Sequence, residues 1–263
     1  MGKLSKIEQQ NILNDYINGE SFKNLSLKYN ICTWSIGNLL KKNNISARIR
    51  KHLCNENYFE IIDNHKKSYW LGLLFADGYV RQRRQCNGKY KQGGIVGLGL
   101  KDEDKYMLEQ FIIDIESDYN LFINIKDNKK YYKIEINSKK MSDDLIKIGC
   151  VERKSLILEP PIIDEKYIPD FIRGYIDGDG TIGLYNNRFK LSILGTKEIL
   201  EYILEYFCKN GIKIKPKISK RKNIHIIQFN SQSDIKIIYS LLYNINCERF
   251  LKRKYKIFNK ITK

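Results

Sequence analysis

The chain of 263 residues is 42% hydrophobic and carries 47 Lys/Arg against 30 Asp/Glu, a formal charge of +17. That hydrophobic share excludes global disorder. No run of eighteen apolar residues occurs, and MGKLSKIEQQ lacks the apolar stretch of a secretory signal, so a soluble protein of the cytoplasm or an organellar matrix is expected.

Six widely spaced cysteines (Cys32, Cys54, Cys86, Cys150, Cys208, Cys247) form no CxxC pair and argue against a disulfide framework. Three histidines (His52, His65, His225) fall in no HxxxH or HNH-like arrangement, so histidine is not expected to carry any catalysis. The charge is uneven. Residues 58–208 hold 23 Lys/Arg and 24 Asp/Glu, whereas residues 209–263 hold 15 and 2. A polyanion is the natural partner, because neutralising phosphates releases condensed counterions.

Residues 1–45 are predicted to form three short helices. Ile7, Ile12, Leu13, Tyr16 and Ile17 suit the first, which Gly19 stops. Ser21 caps a second carrying Phe22, Leu25 and Leu27. Thr33 is the expected N-cap of a third, through Ile36, Leu39 and Leu40 to Lys41-Lys42. Two short helices joined by a tight turn, the second ending in lysines, read as a helix-turn-helix. Its expected DNA contacts are Thr33, Trp34, Ser35, Asn38, Lys41 and Lys42. Residues 46–57 (SARIRKHLCNEN) read as a basic linker.

The remainder reads as one αββαββα unit written twice, over residues 58–156 and 157–263. Each copy opens with an apolar helix ending in carboxylate and glycine, near 66–78 and 169–180. A hairpin, a helix, a second hairpin and a helix follow, and each copy closes on a basic segment, VERKSL or ERFLKRKY. Two similar halves about a pseudo-twofold axis are implied, in an α+β fold with antiparallel sheets.

The opening helices carry the chemistry. Gly72 and Ala76 are four apart, as are Gly174 and Gly178, so small residues line one face of each helix. If the two helices pack through those faces, their C-terminal ends meet and Asp77 lies beside Asp179. Close carboxylates repel unless a cation neutralises them, and hard oxygen ligands beside open water positions suit Mg²⁺. A carboxylate pair with divalent metal is a phosphoryl-transfer site.

WLGLLFADG (70–78) and IRGYIDGDG (172–180) resemble the two copies of the LAGLIDADG motif, and the chain over 58–263 resembles a monomeric, two-motif LAGLIDADG homing endonuclease. Phe75 stands where the first motif often has Asp; the matching Asp177 has no assigned role. The resemblance implies a double-stranded DNA target cut on both strands, and Mg²⁺ or Mn²⁺ held by Asp77 and Asp179 with the carbonyls of Ala76 and Gly178. It also implies a basic residue from each half near the scissile phosphate. By register these are Lys154 and Lys254, with Lys252, Arg153 and Arg253 as competitors. Strand residues placed to meet DNA are Arg81, Arg83 and Arg84, then Arg188, Lys190, Lys217, Lys220, Arg221 and Lys222. Two alternatives use the same fold for binding: a maturase for group I intron RNA, and a non-catalytic DNA-binding regulator.

Overall fold

The computed structural model describes residues 4–47, 52–84, 90–186, 188–213 and 215–261, without the side chains of residues 83–84 and 90–92. The chain divides into two compact units, Met1–Lys51 and His52–Lys263. Among the described residues no helix is long and apolar enough to cross a membrane.

In the smaller unit, α1 (Lys6–Ile17) starts at Ser5, whose side chain forms a capping box with Glu8. Ser21 caps α2 (Phe22–Tyr29), and Asn30 in the left-handed region ends it. α3 spans Thr33–Lys42. Ile12, Leu13, Tyr16, Leu25, Ile36, Leu39 and Leu40 form one core. One expectation is corrected. The N-cap of α3 is Cys32, with no side-chain cap bond, and Thr33 is the first helical residue. Ile7 and Ile17 are exposed. At 3.6 residues per turn Ile7 lies opposite the Leu13–Tyr16 face, and Ile17 falls at its margin. Leu27, likewise exposed, sits half a turn from buried Leu25.

The larger unit holds the duplicated pattern. α4 (His65–Ala76) leads into β1 (Gly78–Arg84), β2 (Tyr90–Lys101), α5 (Lys105–Asp114), β3 (Phe122–Lys126), β4 (Lys129–Asn137) and α6 (Lys139–Ile148). α7 (Ile168–Asp179) leads into β5 (Gly180–Tyr185), β6 (Arg188–Gly195), α8 (Lys197–Lys209), β7 (Ser219–Arg221), β8 (Ile224–Phe229) and α9 (Gln232–Leu242), and α10 (Lys252–Phe258) follows. The two four-stranded antiparallel sheets have the same strand order, β1-β2-β4-β3 and β5-β6-β8-β7. This is the expected α+β fold.

Alternation decides which side of each sheet is covered. Val96, Leu98 and Leu100 of β2 and Ile134 and Ile136 of β4 are buried beneath α5 and α6. Leu191, Ile193, Ile227 and Phe229 are buried with α8 and α9. The residues between them point to the opposite, outer faces. Segment 52–57 is tied to the end of α5: Leu53 N–H donates to Asp118, and Asn55 N–H to the Ile115 carbonyl.

α4 and α7 pack side by side at the centre, and their glycines explain how closely. A Cβ on Gly72 would lie 2.0 Å from the Phe171 carbonyl oxygen, and one on Gly174 would lie 2.1 Å from that of Tyr69. The contact is reciprocal, as a twofold relation between the halves requires.

Candidate active site

The paired helices end together. A Cβ on Gly178 would lie 2.3 Å from the Ala76 Cβ and 3.3 Å from the Asp77 carboxyl carbon. Asp77 is the C-cap of α4, and Asp179 is the last residue of α7. The structure therefore brings the two acids to one place. Asp77 is exposed and Asp179 half-buried, so solvent reaches both even though helix ends crowd behind them. That crowding dominates their titration. Burial, opposed by Lys254 and Lys154, raises the Asp77 carboxyl above its ordinary value. Burial and then the Asp77 charge push Asp179 up to about 6.

Two buried lysines back the pair. Lys154 Nζ donates to the carbonyls of Ala76 (3.1 Å) and Gly78 (2.6 Å). Lys254 Nζ donates to those of Ile176 (2.7 Å), Asp177 (2.6 Å) and Gly180 (2.6 Å). Each ammonium thus satisfies terminal carbonyls of a motif helix, where the helix dipole favours positive charge. Burial lowers both, Lys254 to about 8. The competitors are placed differently. Arg253 pairs with Asp104 at 2.9 Å, Lys252 lies over the Tyr106 ring, and Arg153 is exposed. The two carbonyls paired by the sequence reading are not equivalent. That of Ala76 accepts from Lys154, whereas Lys254 contacts carbonyls on either side of Gly178.

The donor set fits a hard divalent cation. Two carboxylates repel each other at an open position, and a cation there relieves that repulsion. No group of three or more His, Cys, Asp or Glu suited to a metal occurs among the described residues. Such a site leaves coordination positions for water and phosphate, the habit of Mg²⁺. Asp177 is no part of it. It is fully buried, and its Oδ2 accepts from the Tyr69 hydroxyl and the Leu251 N–H, both at 2.8 Å. Its counterpart Phe75 is buried against Phe171.

On the outer sheet faces lie Arg81, Arg188, Lys190 and Arg221, all exposed. Lys220 alternates to the other side of β7, Lys217 is exposed just before it, and Lys222 occupies the turn to β8 with φ 56°. The side chains of Arg83 and Arg84 and hairpin residues 85–89 lie outside the described residues. In the smaller unit Thr33, Trp34, Lys41 and Lys42 are exposed, with Ser35 and Asn38 partly so. Sequence reasoning missed Tyr79, Lys133 and Glu135, which form a bonded cluster on the outer face of the first sheet. Only the strand register reveals it. It also missed Arg249, which holds Asp114 of α5 through two bonds (2.8 and 2.7 Å) beside Trp70.

No family model matches the sequence, and no curated protein matches it. Among solved structures, that of I-DmoI in complex with DNA and Ca aligns over 78% of this chain and 99% of that one, at 17% identity and a TM-score of 0.52. The LAGLIDADG meganuclease I-AabMI, bound to uncleaved DNA, aligns over 74% and 88%, at 10% identity and a TM-score of 0.50. The larger unit has the fold of the LAGLIDADG endonucleases.

Proposed function

We propose that the chain is a site-specific DNA endonuclease that hydrolyses a phosphodiester on each strand at the carboxylate pair. The observation that carries this reading is the meeting of Asp77 and Asp179 at the touching ends of α4 and α7. Each half contributes one acid, so a single chain supplies the whole site and a monomer suffices.

Asp77 and Asp179 would hold Mg²⁺ or Mn²⁺, with the Gly178 and Ala76 carbonyls as further oxygen donors. When bound, such ions polarise a phosphate, activate water and stabilise the leaving oxygen. The protein's own part is placement. The glycine contact fixes the acids to each other, and Lys154 and Lys254, buried behind them, tie down the helix ends and hold positive charge at their back. Arg81, Arg188, Lys190 and Arg221 give the outer faces positive charge, and an antiparallel ribbon fits the major groove. The similar I-DmoI and I-AabMI structures, each bound to DNA, support this reading. The N-terminal helices add a second DNA contact through Trp34, Asn38 and Lys41 on one face of α3, with Thr33, Ser35 and Lys42 flanking.

The test is incubation with a randomised double-stranded DNA library and Mg²⁺, followed by sequencing of the broken ends. Recurrent breaks at one long sequence, with staggered ends and abolished by a chelator, are expected. Absence of any enriched break with either Mg²⁺ or Mn²⁺ contradicts the reading.

A further inference from the structure

Two residues beyond Asp77, one row crosses the outer face of the first sheet: Tyr79 of β1, Gly97 of β2 and Glu135 of β4. Gly97 leaves the middle of the row empty, and the Tyr79 ring lies across it. A Cβ at position 97 would sit 2.1 Å from that ring. The tyrosine hydroxyl thereby spans the middle strand and donates to Glu135 Oε1. Lys133, the next outward residue of β4, pairs with the same oxygen at 2.8 Å. Lys133 and Arg81 both lie over the Tyr79 ring, 5.1 and 5.4 Å from its centroid.

These contacts fix what Glu135 can offer. The Lys133 and Tyr79 bonds hold its carboxyl below the ordinary value, so it is an acceptor only. Both bonds end on Oε1; Oε2 has no partner among the described residues, and the side chain remains 32% exposed. An ionised carboxylate on a face that approaches a polyanion is repelled unless it meets a donor. In the major groove cytosine N4 and adenine N6 are such donors. The flanking cations decide between them: guanine, opposite cytosine, offers two acceptors, O6 and N7, where thymine offers one and a methyl group.

We propose that Glu135 is a specificity-determining residue that reads a C·G pair in the half-site met by the first sheet, accepting from cytosine N4 while Lys133 donates to guanine. Tyr79 is its positioning residue. This inference rests on the endonuclease reading above. The matching row of the second sheet is Thr181, Ser192 and Gln228, where Gln228 Nε2 donates to Ser192 Oγ at 3.2 Å. With no carboxylate there, the equivalent position of the other half-site lacks this preference and serves as an internal control.

The experiment is selection of cleaved sequences from randomised duplex DNA by full-length wild type, Glu135→Gln and Tyr79→Phe. Wild type is expected to enrich C·G at one position of one half-site. Glu135→Gln should reduce that enrichment about tenfold and leave the remaining positions unchanged. Tyr79→Phe keeps the ring and should weaken the same position alone. A Glu135→Gln profile identical to wild type, a wild-type preference for A·T at that position, or a change spread evenly over the site overturns the assignment. If wild type enriches no sequence at all, the endonuclease reading fails and this inference with it.

Discussion

Asp177 shows how a motif residue can be kept for architecture. Fully buried, it ties Leu251, the N-cap of α10, to α7, and α10 carries Lys254. Asp177→Leu would strand the Leu251 N–H and the Tyr69 hydroxyl; a loss of about 2–4 kcal/mol in urea denaturation is expected. Asp177→Asn, which keeps an acceptor, should lose less. The acids at the helix ends behave differently, and their titration has a sign. Asp179 is pushed up to about 6 from 3.8, so the stability it contributes is complete below 3.8 and is lost as pH rises through about 6. Lys254 is pushed down to about 8 from 10.5, so its contribution is complete above 10.5 and is lost as pH falls through about 8. Between those values both groups are charged and the metal-free site is least comfortable. Mg²⁺ should therefore raise the melting temperature near neutral pH and have little effect well below pH 6, where Asp179 is protonated. Asp77→Asn should abolish that shift, and an equal shift in both pH ranges would argue against a carboxylate-held ion.

The α4–α7 pair depends on the absence of two side chains. At Gly174 a Cβ would meet backbone, the Tyr69 carbonyl, which cannot rotate away. Gly174→Ala should force the helices apart, cost about 1–3 kcal/mol by calorimetry or urea titration, and reduce cleavage further than the stability loss alone explains, because the acids move with the helix ends. Most elements were legible in the sequence because local rules and global packing agree there. Ser5, Ser21, Asn64, Ser138, Thr196 and Ser231 each cap a helix with a side-chain bond, and alternation matches burial in β2, β4, β6 and β8, though not in β3 and β7, which are exposed throughout. The juxtaposition of Asp77 and Asp179 was legible because the glycine spacing occurs twice. The role of Asp177 was not, since its partner Leu251 is supplied by a segment remote in sequence. Nor was the Tyr79–Glu135 bond, which needs the register of three strands, or the Arg249–Asp114 pair, which joins the two halves. Ile7, Ile17 and Leu27 lie in the helices expected of them yet stay exposed, because on short helices the phase of the turn decides burial.

The charge of +17 belongs to the whole molecule, and so does its consequence. Affinity for DNA should fall steeply with salt, by about a thousandfold between about 50 and 200 mM, since several phosphates are neutralised together; a flat salt response in a binding titration would contradict a polyanion partner. Because Met1–Lys51 and His52–Lys263 are separate compact units, deleting residues 1–51 should weaken binding while leaving the cleaved sequence unchanged. The duplicated unit has meaning as a nuclease only if its two halves deliver their acids to one shared site. The decisive measurement is Mg²⁺-dependent double-strand cleavage of the selected target by Asp179→Asn, with DNA binding followed in parallel. Cleavage should fall by about 10²–10³-fold with binding retained, as expected when transition-state charge loses its stabilisation. Undiminished cleavage by Asp179→Asn would contradict the carboxylate-pair mechanism outright.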